Sequence, residues 1–263
     1  MPSTTAPNIL VIAGHDPCGG AGIQADIEAI ASNGGHAACV ISAHTVQDSR
    51  GVQAVTAADP ELLRRQLECL LADLSFAALK IGLLPGAALV ETVADILSEL
   101  TDIPLVLDPV LTSGAGQALN DAETLAAIKS RLLPLTTIIT PNTGEARALG
   151  DSGDPARAAA AIMAAGADAV YLTGTHADTE TVINRLYAGG DLRDTFPCER
   201  LPGEYHGSGC TLSAALSAAL ARGLELEQAV IEAQRYTLES LRHARRPGHG
   251  QRLPDRFFWF RDE

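Results

Sequence analysis

The feature that most constrains this chain is a repeated exchange between two periods. Short apolar runs alternate with stretches whose apolar residues recur at helical spacing. Asn8–Gly14 (NILVIAG), Ala77–Gly82, Pro104–Asp108 (PLVLD), Thr136–Thr140 (TTIIT) and Ala167–Thr173 (ADAVYLT) read as buried strands, and His36–Val46 is also strand-like. Between them lie helical segments: Gly19–Asn33, with Ile23, Ile27 and Ile30 on one stripe, then Pro60–Asp73, Ala87–Leu100, Asp121–Leu133, Thr143–Gly150 and Pro155–Ala165. Strands that are apolar on both faces need helices on both faces. The pattern therefore predicts an α/β fold with a mostly parallel central sheet. Asp178–Phe196 interrupts it: this stretch alternates and turns at Gly189-Gly190, which predicts a hairpin. Two helices, Gly209–Arg222 and Glu225–Arg246, follow. No repeat or low-complexity linker divides residues 1–263, so a single domain is expected.

Charge limits the partners. Nineteen Lys and Arg face 32 Asp and Glu, a net charge of −13. That excess argues against a nucleic-acid or anionic-membrane surface. A phosphorylated ligand would need local help from backbone N–H groups, helix ends or a cation. The five cysteines are odd in number and form no C-x-x-C pair, which points to free thiols in a reducing, cytoplasmic compartment. No apolar run approaches the roughly 18 residues of a membrane span, and Met1–Asn8 does not read as a signal peptide. The histidines lack metal-ligand spacing, so no zinc site is expected.

In open α/β sheets ligands bind beyond the carboxyl ends of the parallel strands. Polar and glycine-rich residues gather at those ends here. Gly14–Gly22 (GHDPCGGAG) has four glycines in nine residues that fit neither G-x-G-x-x-G phasing nor a P-loop. It can serve as a tight turn, or as a close backbone approach whose amides hold a polar group. His206-Gly207-Ser208-Gly209-Cys210-Thr211 opens a helix. Its N–H groups can form an anion hole, and the helix dipole should lower the Cys210 thiol pKa. Alternatively, Ser208 caps the helix and Cys210 is a small buried residue; or Cys210 and His206 form a nucleophile–base pair. Asn142 and Glu145 are three apart at a strand-to-helix junction. They can form a capping box or, with Asp108, arrange Mg²⁺ beside a triphosphate.

Taken together, AGHDPCGGAGIQADIEAI, VISAHTVQDSRGV, KIGLL, LDPV, TPNTGEA and HGSGCTLSAALSAAL resemble the ribokinase-like superfamily, and within it the hydroxymethylpyrimidine/phosphomethylpyrimidine kinases. The likeness runs from about Ile9 to Gly250. Cys210 stands where most of the superfamily has Asp, as in the pyrimidine kinases. The resemblance implies a ribokinase-like three-layer α/β/α sandwich with a small β-hairpin extension. It also implies γ-phosphoryl transfer from ATP with Mg²⁺ to 4-amino-5-hydroxymethyl-2-methylpyrimidine and then to its monophosphate, in thiamine biosynthesis. By position, Gly14, Ala21, Gln47, Leu83, Val110 and Cys210 would line the pyrimidine pocket, and Gln47 offers the ring both a donor and an acceptor. Gly207, Ser208 and Gly209 would form the anion hole, beside which Cys210 would take the acceptor's proton as base or only orient the acceptor. Asp108, Asn142 and Glu145 would position Mg²⁺ and phosphates, with Asp108 and Glu145 on the metal, and Thr173 and Gly174 would lie near the nucleotide. A homodimer is the usual assembly of such enzymes. The chain departs from the pattern in a shorter, lysine-free loop at Leu111-Thr112-Ser113-Gly114, and in Thr173-Gly174-Thr175-His176, where many members read K-G-G-H. Alternative readings are a pyridoxal/pyridoxine kinase and a non-catalytic pyrimidine-binding sensor on the same fold.

Overall fold

The computed structural model describes residues 6–100, 102–112, 119–174 and 180–260. Ser113, Gly114, Thr175 and His176, and the start of the expected hairpin at Asp178, lie outside them. Among the described residues nine strands form one sheet in the order β3-β2-β1-β4-β5-β6-β7-β8-β9. These are β1 (Asn8–His15), β2 (His36–Asp48), β3 (Gly51–Ala57), β4 (Ala78–Ile81), β5 (Leu105–Leu107), β6 (Ile138–Ile139), β7 (Ala169–Leu172), β8 (Thr181–Ala188) and β9 (Asp191–Glu199). The six strands from β2 to β7 pair in parallel. The edges are antiparallel: β3 on β2, and β8–β9 on β7.

The helices are α1 (Gly22–Ser32), α2 (Pro60–Asp73), α3 (Ala87–Leu97), α4 (Ala122–Ala127), α5 (Thr143–Gly150), α6 (Pro155–Ala164), α7 (Ser208–Ala221) and α8 (Leu226–Arg242). Several start where local chemistry dictates. Asp59 and Asp154 accept an N–H of the first turn while Pro60 and Pro155 occupy a first-turn position, where a missing N–H costs nothing. The expected helix Asp121–Leu133 is α-helical only to Ala127, then π over Ile128–Leu132 and 3-10 over Leu133–Leu135, a turn that contains Pro134.

Alternation along β1 divides the core. Leu10 and Ile12 face the layer of α2 to α6, with Leu63, Val90 and Ile162. Ile9, Val11 and Ala13 face α1, α7 and α8, with Ile30, Leu216 and Val230. Each fully buried side chain of this size contributes roughly 2 kcal/mol of transfer free energy. Helix α7 packs on α1, α8 and the centre of the sheet. Its small residues, SGCTLSAALSAALA, are buried almost all round, which lets its N-terminus reach the sheet's carboxyl edge.

The chain leaves β1 in one direction to β2 and returns on its other side at β4. Strand order therefore reverses beside β1, and the crevice there opens at Gly14 and Gly82. A last segment, missed in the sequence, closes the molecule over this edge. Arg252 exchanges backbone bonds with Glu204 and His206, Gln251 N–H binds Ser49 O, and Asp255 N–H binds Ser240 O.

Candidate active site

A cavity of about 1110 Å³ opens at the carboxyl ends of the parallel strands. Every pocket, anion-hole, metal and nucleotide residue expected from the sequence lines it except Gly174. Gly174 instead donates its N–H to Asn184 Oδ1 at 2.9 Å, and an added Cβ would lie 2.3 Å from Ile183 O. Its place is a packed joint between β7 and β8, whereas Thr173 beside it does face the cavity.

The first glycine-rich loop differs from one of the two expectations. Its amides are not free for a ligand. Asp16, 1% exposed, fills them: Cys18 N–H binds Oδ1 at 2.9 Å, and Gly20 and Ala21 N–H bind Oδ2 at 3.0 and 2.8 Å. His206 Nε2 and the Cys18 thiol also meet Oδ2, at 2.8 and 3.3 Å. Burial would raise the Asp16 carboxyl, but the bonds from His206 and Cys18 outweigh it and hold the group well below the usual carboxylate range. The bond also takes His206 for Asp16, so the alternative Cys210–His206 pair does not form: the Cys210 thiol faces Asp108 and Lys80.

The second loop is open. Gly207, not Ser208, is the N-cap of α7, and no side chain caps the helix. Thr211 N–H returns to Gly207 O at 3.0 Å. The N–H groups of Ser208, Gly209 and Cys210 meet no protein acceptor among the described residues. Gly207 has φ 87°, and a Cβ there would fall 1.8 Å from Gly20 O, so only glycine brings the two loops together.

Cys210 is not a thiolate. Burial pushes its thiol up to about 12; Asp108 adds to the rise and Lys80 opposes it. These effects override the helix dipole on which the sequence expectation rested. Beneath it lies a charged set that sequence reading missed. Lys80 Nζ, fully buried on β4, sits 2.9 Å from Asp26 of α1 and 4.0 Å from Asp108 Oδ2. Burial opposes the ammonium charge, but the flanking carboxylates more than offset it and keep Lys80 protonated. Burial raises the Asp26 carboxyl to about 6 against the pull of Lys80. The signal was present: one lysine in the strand ALKI, and one aspartate on the apolar side of α1. Asp108 itself is pushed upward by burial while accepting a bond from Ser213 Oγ at 3.2 Å.

Asn142 and Glu145 bear out the capping-box reading. They form a reciprocal capping box, each bond 2.9 Å, and both line the cavity. Glu145 is buried, and burial together with the charge of Asp108 raises its carboxyl to about 8. Two buried carboxyls that resist sharing negative charge are a donor set suited to a hard divalent cation, which would let both ionise. On the acceptor side, a bulge between Val46 and Gln47 leaves Val46 exposed and turns Gln47 to the cavity, opposite Val52 of β3.

A family model described as phosphomethylpyrimidine kinase matches residues 16–255. The chain belongs to the phosphomethylpyrimidine kinase family. It is 39% identical over 241 residues to the hydroxymethylpyrimidine/phosphomethylpyrimidine kinase of Streptomyces coelicolor, covering 89% of this chain and 88% of that one. It is 36% identical over 252 residues to that of Escherichia coli, covering 92% and 94%. Among solved structures, the ADP complex of Bacillus subtilis pyridoxal kinase superposes with a TM-score of 0.88 at 29% identity, covering 97% of this chain and 99% of that one. The phosphomethylpyrimidine kinase of Clostridium difficile superposes at 0.78 with 31% identity, covering 89% and 99%. Like its relatives in the phosphomethylpyrimidine kinase family, this chain is a kinase with a ribokinase-like α/β fold.

Proposed function

We propose that this kinase transfers the γ-phosphoryl group of ATP to the hydroxyl of 4-amino-5-hydroxymethyl-2-methylpyrimidine, and then to the resulting monophosphate, to give the diphosphate used in thiamine biosynthesis. One observation carries the reading: in a single cavity, amides at the start of α7 that meet no acceptor among the described residues stand beside a thiol backed by a carboxylate.

Phosphoryl transfer asks for positioning and charge stabilisation more than covalent chemistry. The N–H groups of Ser208, Gly209 and Cys210 meet the oxygens of the migrating group. In a loose transition state the acceptor alcohol loses its proton late. As the new P–O bond forms and the bond to ADP breaks, Cys210 Sγ orients the hydroxyl and its proton passes to an oxygen of the transferred phosphoryl group. The second acceptor is a phosphate oxygen, ionised near neutrality. It has no proton to give up, so the thiol matters to the first step alone. Asp108 and Glu145 would hold Mg²⁺, which would supply positive charge at the phosphates. Gly14, Ala21, Gln47, Leu83 and Val110 form the heterocycle's walls, with Gln47 pairing its polar edge, and Asn142 and Thr173 flank the nucleotide side.

Among the described residues no helix is long and apolar enough to cross a membrane. The five cysteines are free, which suits a cytoplasmic address. A homodimer completes the reading, and light scattering checks it.

The deciding test is ATP consumption with hydroxymethylpyrimidine, its monophosphate and pyridoxine side by side. Turnover of the first two is expected. Turnover of pyridoxine alone would favour a pyridoxal kinase, and binding without ATP consumption would favour a sensor.

A further inference from the structure

We propose that Arg256 is a positioning residue for phosphoryl transfer: its guanidinium holds the two glycine-rich loops in register and places positive charge behind the open amides of α7. This rests on the kinase reading above. Arg256 lies one residue beyond the family match, which ends at 255.

Arg256 is 2% exposed. Its Nε donates to Thr211 Oγ1 at 3.0 Å, and Nη1 to Gly19 O at 3.3 Å and to Glu28 Oε2 at 3.1 Å; Nη2 donates to Gly20 O. One rigid fork of donors thus joins α1, the first loop and the first turn of α7. Thr211 Oγ1 passes the constraint on by donating to Gly207 O at 2.8 Å. Nη2 would lie 3.1 Å from a Cβ on Gly207, so the cation stands directly behind the residue that opens the anion hole.

A purely architectural role does not account for this placement. A buried cation is costly to desolvate, and it is unfavourable at a helix N-terminus, where the dipole is already positive. Glu28 is the one carboxylate bonded to it among the described residues, and that side chain is 28% exposed; Asp26 feels its charge without bonding it. The other three acceptors are two carbonyls and a hydroxyl. The arrangement gains what it lacks when an anion arrives at Ser208–Cys210. Its charge then acts in a low-dielectric setting, where preorganised dipoles and charges count most.

The test compares wild type with R256M, R256K and T211V. Each is measured for folding by thermal denaturation, for kcat and KM with hydroxymethylpyrimidine, and for binding of ADP alone and of ADP with fluoroaluminate, a mimic of the migrating group. R256M should lose kcat on the order of 10²-fold and fail to retain the fluoroaluminate complex. Its pyrimidine KM and ADP affinity should stay within about threefold. R256K, with the charge but not the fork, and T211V, with the cation but not the link, should fall between. A structural residue would move stability and KM together and leave the kcat-to-KM ratio of effects near one. If R256M does not fold, the other two decide. Folded R256K and T211V with wild-type kcat and fluoroaluminate retention overturn the proposal. If wild type itself shows no kinase turnover, the functional reading fails, an outcome separate from any difference among the variants.

Discussion

Between Asp16 and Gly22, backbone N–H groups converge on a carboxylate that belongs to the chain; between Gly207 and Thr211, no protein acceptor meets them among the described residues. The two loops are alike in composition and touch at Gly20 and Gly207. The first carries its own anion and is therefore a finished piece of structure. The second is short of an anion and is where the proposed transfer places the migrating phosphoryl group. Glycine content does not separate the cases. What separates them is an acidic residue placed so that it can turn back into its own loop.

The contrast can be attacked at several points. The largest effect is expected from G207A, which forces a Cβ against Gly20 O at a positive φ. Turnover should fall about 10³-fold, as when an oxyanion donor is lost, and a steady-state assay measures it; a mild effect would mean that the loops need not touch. Next, C210A should cut the alcohol phosphorylation on the order of 10²-fold with ATP binding kept. It should leave phosphorylation of the monophosphate within about threefold, read by following both products in time. Equal losses in the two steps would remove the late-proton argument. Unchanged turnover in the first would remove the thiol.

D16N should lower stability by roughly 2 kcal/mol, the cost of weakening charged hydrogen bonds to buried donors, as seen in urea unfolding. The sign follows from the depressed carboxyl: its contribution is present above the unfolded pKa and is lost as pH falls through the folded one. The deficit of D16N should therefore shrink in strong acid. Glu145 runs the other way. Its carboxyl is raised to about 8 from 4.5, so it favours folding most at low pH and less as pH climbs through that window. E145Q keeps a capping oxygen and should flatten this decline. Adding Mg²⁺ to wild type should do likewise, and a decline that ignores both would argue against the carboxyl pair as a cation site. The smallest effect belongs to S208A. Because Gly207 is the cap and Ser208 contributes its amide, stability should change by less than about 0.5 kcal/mol; a loss near 1 kcal/mol would restore the serine cap.

Much of this fold is legible because a short run that is apolar on both faces fits little besides a strand covered by helices from above and below. NILVIAG, PLVLD and ADAVYLT all form parallel strands. Strand β3 was not foreseen. GVQAVTA is half exposed at an edge, and its pairing with β2 depends on a turn at Ser49–Arg50. Helix α1 begins at Gly22 rather than Gly19, since Gly19 and Gly22 both take positive φ while the chain wraps Asp16. The cavity lining was legible wherever its residues fall at strand ends. Asp26, Lys80 and Arg256 escaped notice because their partners lie far away in sequence, whereas Asp16 bonds amides only two to five residues on and its one distant partner is His206. No local pattern pairs Lys80 with Asp26, or Arg256 with Gly20.

That last pairing has a consequence for biosynthesis. Gly20 and Arg256 are 236 positions apart, and translation delivers them in that order. The corner of a growing polypeptide where the two loops meet must wait, half assembled, until the arginine has emerged. A ribosome stalled before that codon would release a fragment holding all nine strands and the amides of α7, yet without the clasp that draws them together.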